Sequence, residues 1–248
     1  MSGLLEVLAW HAADAERAEA GGADRVQLLA GTEEDPRSPE PALVGQVRRA
    51  TSLPLRVMVR LREGFGTDGG ELTRLLGLIA GYRSVGADGV VLGFLNAHTE
   101  IDVPVVLELV GAGEIGWTFH RAVDSCISVD RAWRELRKLP GLDQVLTAGS
   151  ARGVAEGLDD LLARAGQDEF ARSVIMAGGG LLPEHVPWLA RAGVRAFQVG
   201  GAVRPLGSAK AYVDADLVRT WRRLIDEALR HGPPAKRAEP VEAPPDPA

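Results

Sequence analysis

Cysteine is nearly absent from this chain: among 248 residues there is one, Cys126. A single thiol closes no internal disulfide, and no Cys-x-x-Cys or His-x-x-x-His spacing occurs. Basic charge is also in deficit. The net charge of −6 gives no global positive field, so nucleic acid is not an expected partner. No apolar run approaches the roughly 20 residues of a membrane span, so no membrane partner is expected either. The short apolar run at residues 4–10 follows Met1-Ser2-Gly3 without a basic region, which does not read as a signal peptide. Together these absences predict a cytoplasmic protein.

What is present is ordinary globular composition, 46% hydrophobic and 25% charged, with a clear alternation of patterns. Short runs rich in Val, Ile and Leu lie at 4–9, 25–30, 55–61, 89–95, 115–122, 144–149, 173–178 and 196–201. Amphipathic stretches fall between them at 12–20, 41–50, 71–85, 103–110, 128–139, 152–165 and 183–192, and a last one covers 214–229. Strands each followed by a helix predict a parallel sheet covered by helices. Eight such units predict a single-domain α/β fold, a closed (β/α)8 barrel of the TIM type; a doubly wound open sheet is the alternative. Gly22-Ala23-Asp24, Gly86-Ala87-Asp88 and Gly193-Val194-Arg195 each end a helix and lead into a strand, as a left-handed glycine cap does. The domain is expected over residues 1–231. Residues 232–248 are proline-rich, lack bulky apolar groups and read as a disordered tail. The polar segment 32–41 also lacks anchors and reads as a mobile cover over the barrel mouth.

The strand ends carry unusual polarity. Thr118-Phe119-His120-Arg121-Ala122-Val123-Asp124 places three ionisable groups where a buried strand leaves the sheet, which in a barrel is the ligand-binding mouth. Glu6, Gln27, Arg60 and Thr147 are the other polar residues on candidate strands, and with His120 they could line one lumen. Two readings stand: a buried polar network, or an acid/base set in which Glu6 or His120 moves a proton and Arg60 and Arg121 hold an anion, with Asp124 beside them. Gly178, Gly179 and Gly180, then Gly200 and Gly201, follow the last two strands. Barrels commonly hold phosphate there on exposed backbone amides. The candidate soft metal ligands are Cys126, His120, Met58 and Met176.

These segments resemble the CutC copper-homeostasis family from Leu4 to about His231. The carriers are Leu5-Glu6-Val7, Gly22-Ala23-Asp24-Arg25-Val26, Arg60-Leu61-Arg62, Asp68-Gly69-Gly70-Glu71, the Thr118–Asp124 segment, Leu146-Thr147-Ala148-Gly149 and Met176-Ala177-Gly178-Gly179-Gly180. The resemblance implies a (β/α)8 barrel, a cytoplasmic location and copper handling, with Cys126 and His120 as metal ligands. Family members often carry cysteine where this chain reads Leu8-Ala9-Trp10 and Gln27-Leu28-Leu29. The ligand is therefore read as a copper ion or a small anionic or phosphorylated metabolite turned over by acid/base chemistry. A non-catalytic interaction scaffold is a third reading. The sequence is also compatible with a homo-oligomer.

Overall fold

The computed structural model describes residues 3–111 and 115–230. The tail expected after residue 231 lies outside the described residues. Eight parallel strands close on themselves: β1 (Leu4–Ala9), β2 (Arg25–Leu28), β5 (Leu55–Met58), β6 (Gly89–Leu92), β7 (Gly116–Phe119), β8 (Leu142–Thr147), β9 (Ile175–Ala177) and β10 (Ala196–Val199). The strand β1 pairs with β2 on one side and β10 on the other, which shuts the barrel. A small antiparallel ribbon, β3 (Ala30–Gly31) with β4 (Pro36–Arg37), sits in the connection after β2. The helices are α1 (Ala12–Gly21), α2 (Pro41–Ala50), α3 (Gly69–Ser84), α4 (Val103–Gly111), α5 (Val129–Leu136), α6 (Val154–Gln167), α7 (Glu169–Val174), α8 (Val186–Ala192) and α9 (Ala215–Arg230). No helix among the described residues is long and apolar enough to cross a membrane.

Strand alternation divides the apolar residues into separate layers. Leu5, Val7, Val26, Leu28, Val57, Phe119, Val145 and Phe197 belong to the main core between strands and helices. Their neighbours form two smaller clusters within the lumen: Leu8, Leu29, Met58 and Val91 in one, Leu146, Met176 and Ala196 in the other. Glycines at positive φ make the helix-to-strand turns at Gly22, Gly86 and Gly193.

Several strand ends fall short of the sequence pattern, and three differences have a local cause or shift a start. The seventh strand starts at Ile175, because Asp168 accepts from the Ala171 N–H and caps a short helix, α7, over residues read as strand. The fifth strand stops at Phe119, since His120 accepts from the Ala122 N–H and turns the chain into a single-turn helix over Arg121–Ser125. The sixth begins two residues early, at Leu142. The segment read as a mobile cover does reach the mouth, but it is tied there: Ser38 donates its backbone N–H to the Arg60 carbonyl at 2.8 Å, and the β3–β4 ribbon closes the turn.

One ionic cluster joins the first and last units of the barrel. Asp14, fully buried on α1, accepts from the backbone N–H of Trp10 (2.9 Å) and of Val213 (2.9 Å) and from Arg204 Nη2 (3.0 Å). Arg204 also donates to the Leu8 carbonyl at 3.1 Å and stacks over the Trp10 ring at 4.1 Å. Asp14→Ala would leave a buried guanidinium without its counter-charge. It is expected to cost about 3–5 kcal/mol in denaturant unfolding; a loss below about 1 kcal/mol would show that the cluster is not what ties the termini together.

Candidate functional site

A cavity of about 550 Å³ opens at the mouth, above a floor set by a chain of hydrogen bonds. Glu6 is fully buried at the centre of β1. Register puts it beside Arg25 and Gln198, and those residues close on it. Arg25 Nε donates to Glu6 Oε2 at 2.5 Å; Gln198 Nε2 donates to Glu6 Oε1 at 2.6 Å and to Gln27 Oε1 at 2.8 Å. The carboxylate only accepts, so it directs the Gln198 amide nitrogen downwards. The remaining faces, Gln198 Oε1 and Gln27 Nε2, are left for the cavity, which both residues line. Glu6 itself lies beneath this floor and does not line the cavity, so its reach is that of a residue that orients Gln198.

His120 forms the wall. Alternation along β7 turns Thr118 and His120 inwards while Trp117 and Phe119 pack in the outer core. The imidazole is 4% exposed. Its Nδ1 accepts from the Ala122 N–H at 3.1 Å, so the ring proton resides on Nε2, and Nε2 has no partner. Burial first, then the Arg60 and Arg121 charges, push the His120 pKa down to about 3. The ring is therefore neutral near pH 7 and presents one N–H donor. Gly93 makes room for it, since a β-carbon there would stand 2.6 Å from Nδ1.

Two arginines flank the imidazole. Arg60 follows β5 and stacks over Phe65 at 5.4 Å; its Nε donates to the Gly64 carbonyl (2.9 Å) and Nη1 to the Pro36 carbonyl (3.1 Å), with Asp35 Oδ1 at 3.3 Å. Arg121 donates from Nε to Asp124 Oδ2 (3.0 Å) and from Nη2 to the carbonyls of Ser150 (2.9 Å) and Ala151 (3.0 Å). Its Nη1 has no hydrogen-bond partner among the described residues, and the side chain lines the cavity. Asp124 faces away. It accepts from Thr147 Oγ1 (2.5 Å) and the Ala148 N–H (2.9 Å), and burial raises its pKa against those bonds and the Arg121 charge. Thr147 and Asp124 border a separate crevice beside Trp133 and Leu161, so neither belongs to the lumen. Leu146 takes the inward place on β8.

Gly179 and Gly180 line the cavity, both at positive φ, and Gly179 lies so close to Arg121 that a β-carbon would meet its guanidinium at 2.7 Å. Gly178 packs against Leu146 and Gln198. At Gly200 and Gly201 the place expected for an anion holds a carboxylate of the chain: Glu33 Oε2 accepts from the Gly201 N–H at 3.0 Å. Glu33, Phe65, Gly93 and Gln198 were not singled out from the sequence. For Gln198 a signal existed, a polar residue inside the apolar run Ala196-Phe197-Gln198-Val199.

Of the four soft donors, Met58 and His120 both line the cavity, while Cys126 and Met176 are engaged elsewhere. Cys126 is 8% exposed, donates to the Ala122 carbonyl at 3.6 Å, and burial pushes its thiol up to about 11. Cys126 does not line the cavity that His120 lines. Met176 Sδ accepts from Arg25 Nη2 at 3.4 Å. Among the described residues no group of three or more His, Cys, Asp and Glu side chains is placed to hold a metal ion.

The low pKa of His120 carries a sign that can be measured. Between about pH 6.5 and about pH 3 the unfolded chain takes up a proton on this imidazole that the folded chain refuses. Stability present above pH 6.5 is thus lost as pH falls, by at most about 1.4 kcal/mol per pH unit from this residue. Unfolding free energies from pH 7 to pH 4 should fall more steeply for the wild type than for His120→Asn. Parallel curves would place the His120 pKa near its ordinary value.

Comparison with known proteins agrees with this fold and with the family resemblance. The CutC family profile matches residues 4–202. A family protein CutC from Klebsiella pneumoniae (strain 342) is 35% identical over 196 residues, covering 77% of each chain. One from Xylella fastidiosa is 34% identical over 244 residues, covering 92% of this chain and 90% of its own. The crystal structure of a candidate copper homeostasis protein CutC from Streptococcus agalactiae superimposes with a TM-score of 0.71 at 24% identity, over 80% of this chain and 98% of that one. A thiamine phosphate pyrophosphorylase from Pyrococcus furiosus shares the fold alone, with a TM-score of 0.57 at 18% identity, over 91% of this chain and 96% of that one. On the family profile and these relatives, the chain belongs to the CutC family.

Proposed function

We propose that this CutC-family barrel is a cytoplasmic protein that binds a small anionic metabolite at its mouth and acts on it by acid/base chemistry. One observation carries the reading: the unpartnered Nε2–H of neutral His120, 4% exposed, in the wall of a 550 Å³ cavity. A buried donor without an acceptor costs about 1–3 kcal/mol, and a ligand oxygen would recover it. A neutral imidazole between two cations suits a carbonyl or phosphoryl oxygen that gains negative charge during reaction. Arg121 Nη1 would hold the anionic group, and Gln27 with Gln198 would read a polar group at the floor. The volume lies within the range of ordinary small-molecule sites.

Copper binding is the second reading; the Streptococcus agalactiae relative is named for copper homeostasis. Its support is that name, and the engaged, high-pKa thiol of Cys126 speaks against it. The two readings separate in one set of titrations. Phosphorylated and carboxylate metabolites should raise the melting temperature, in proportion to ligand excess over Kd. Arg121→Ala should remove most of the rise. Cuprous ion under reducing conditions should bind wild type and Cys126→Ser alike. No stabilisation by any anion, with tight copper binding lost in Cys126→Ser, would overturn the proposal in favour of copper.

A further inference from the structure

We infer that Gly200 and Gly201 form an oxyanion subsite whose occupant in the unliganded chain is the carboxylate of Glu33, and that a carboxylate or phosphate group of the ligand takes its place. The inference rests on the small-anion reading of the cavity and specifies where part of that anion sits. Glu33 comes from the turn between β3 and β4, far from β10 in sequence, and its Oε2 accepts from the Gly201 N–H at 3.0 Å. The carboxylate fills the space over Gly200: a β-carbon on Gly200 would meet Glu33 Oε2 at 2.5 Å and Oε1 at 2.8 Å. Glycine there lets an oxyanion approach the backbone as closely as a ligand would.

Two further facts point to a ligand instead of a permanent internal bond. Glu33 Oε1 has no hydrogen-bond partner among the described residues, so the carboxylate is half used. The same cavity contains the unpartnered His120 Nε2, which Glu33 does not satisfy. Glu33 therefore keeps one backbone donor paired while the rest of the constellation waits. Glu33 shares the β3–β4 turn with Asp35, and Asp35 together with the Pro36 carbonyl at the start of β4 holds Arg60, so an anion that displaces Glu33 would act next to the support of Arg60. An external anion must compete with an internal one, which lowers its apparent affinity by the fraction of open subsite.

The test is calorimetric titration of the full chain with inorganic phosphate and, separately, acetate. Glu33→Ala opens the amide, and Glu33→Gln keeps an acceptor but removes the charge. Phosphate should bind Glu33→Ala about tenfold more tightly than wild type, with Glu33→Gln between them. The Gly201 amide resonance should shift on phosphate addition in both Glu33→Ala and wild type. Acetate giving the same order would assign carboxylates to the subsite, and acetate giving none would restrict it to phosphate. Wild-type phosphate binding that Arg121→Ala abolishes but Glu33→Ala leaves unchanged or weakens would overturn the displacement and leave the cavity reading standing. Absence of binding to every form would overturn both. A thermal melt of Glu33→Ala matching wild type shows that the variant is folded, and Glu33→Gln serves if it is not.

Discussion

The ion pair between Glu6 and Arg25 is the constraint on which the rest of the mouth depends. Two opposite charges stand in the lumen of a barrel, where desolvation alone would be costly. They are tolerated because each is bonded further: Arg25 reaches Met176 on β9, and Glu6 accepts from Gln198 on β10. The pair thus touches the strands on both sides of the closure. It also decides an orientation, since a carboxylate below Gln198 permits only one way for the amide to face. The polarity of the cavity floor follows from a charge that does not itself line the cavity.

Electrostatics above the floor are divided by role. Arg60 and Arg121 are neither free cations nor neutralised ones. Each spends part of its guanidinium on backbone carbonyls and on one carboxylate, Asp35 or Asp124. That fixes their heads and adds their charge to the burial that keeps His120 neutral. A neutral donor held between cations is ready for an oxygen that becomes negative and gives a cationic ligand no acceptor. Asp124, behind Arg121, is a positioning residue in this arrangement.

Much of this was legible in the sequence, for physical reasons. Short apolar runs separated by amphipathic helices specify the barrel, and a glycine that ends a helix marks three of the turns. Alternation put Thr118 and His120 on one face. What alternation does not give is height along the barrel axis or the phase of a neighbouring strand. Glu6 shares the lumen with His120 yet lies a layer below it, and Thr147 falls on the outward phase of β8 while Leu146 points in. Cys126 is six residues from His120, but the single-turn helix between them carries the thiol out of the cavity wall. Glu33 was hidden because its partner is a backbone amide 168 residues away, a contact with no local pattern.

The chemistry of the cavity turns on the neutral Nε2–H that His120 offers to it. Imidazole nitrogen NMR of selectively labelled protein, followed from about pH 7.5 to about pH 5, tests it most directly. One protonated and one bare nitrogen, Nε2 and Nδ1, are expected, with positions that do not move over this range. Two nitrogens with averaged shifts that titrate together near pH 6.5 would contradict it.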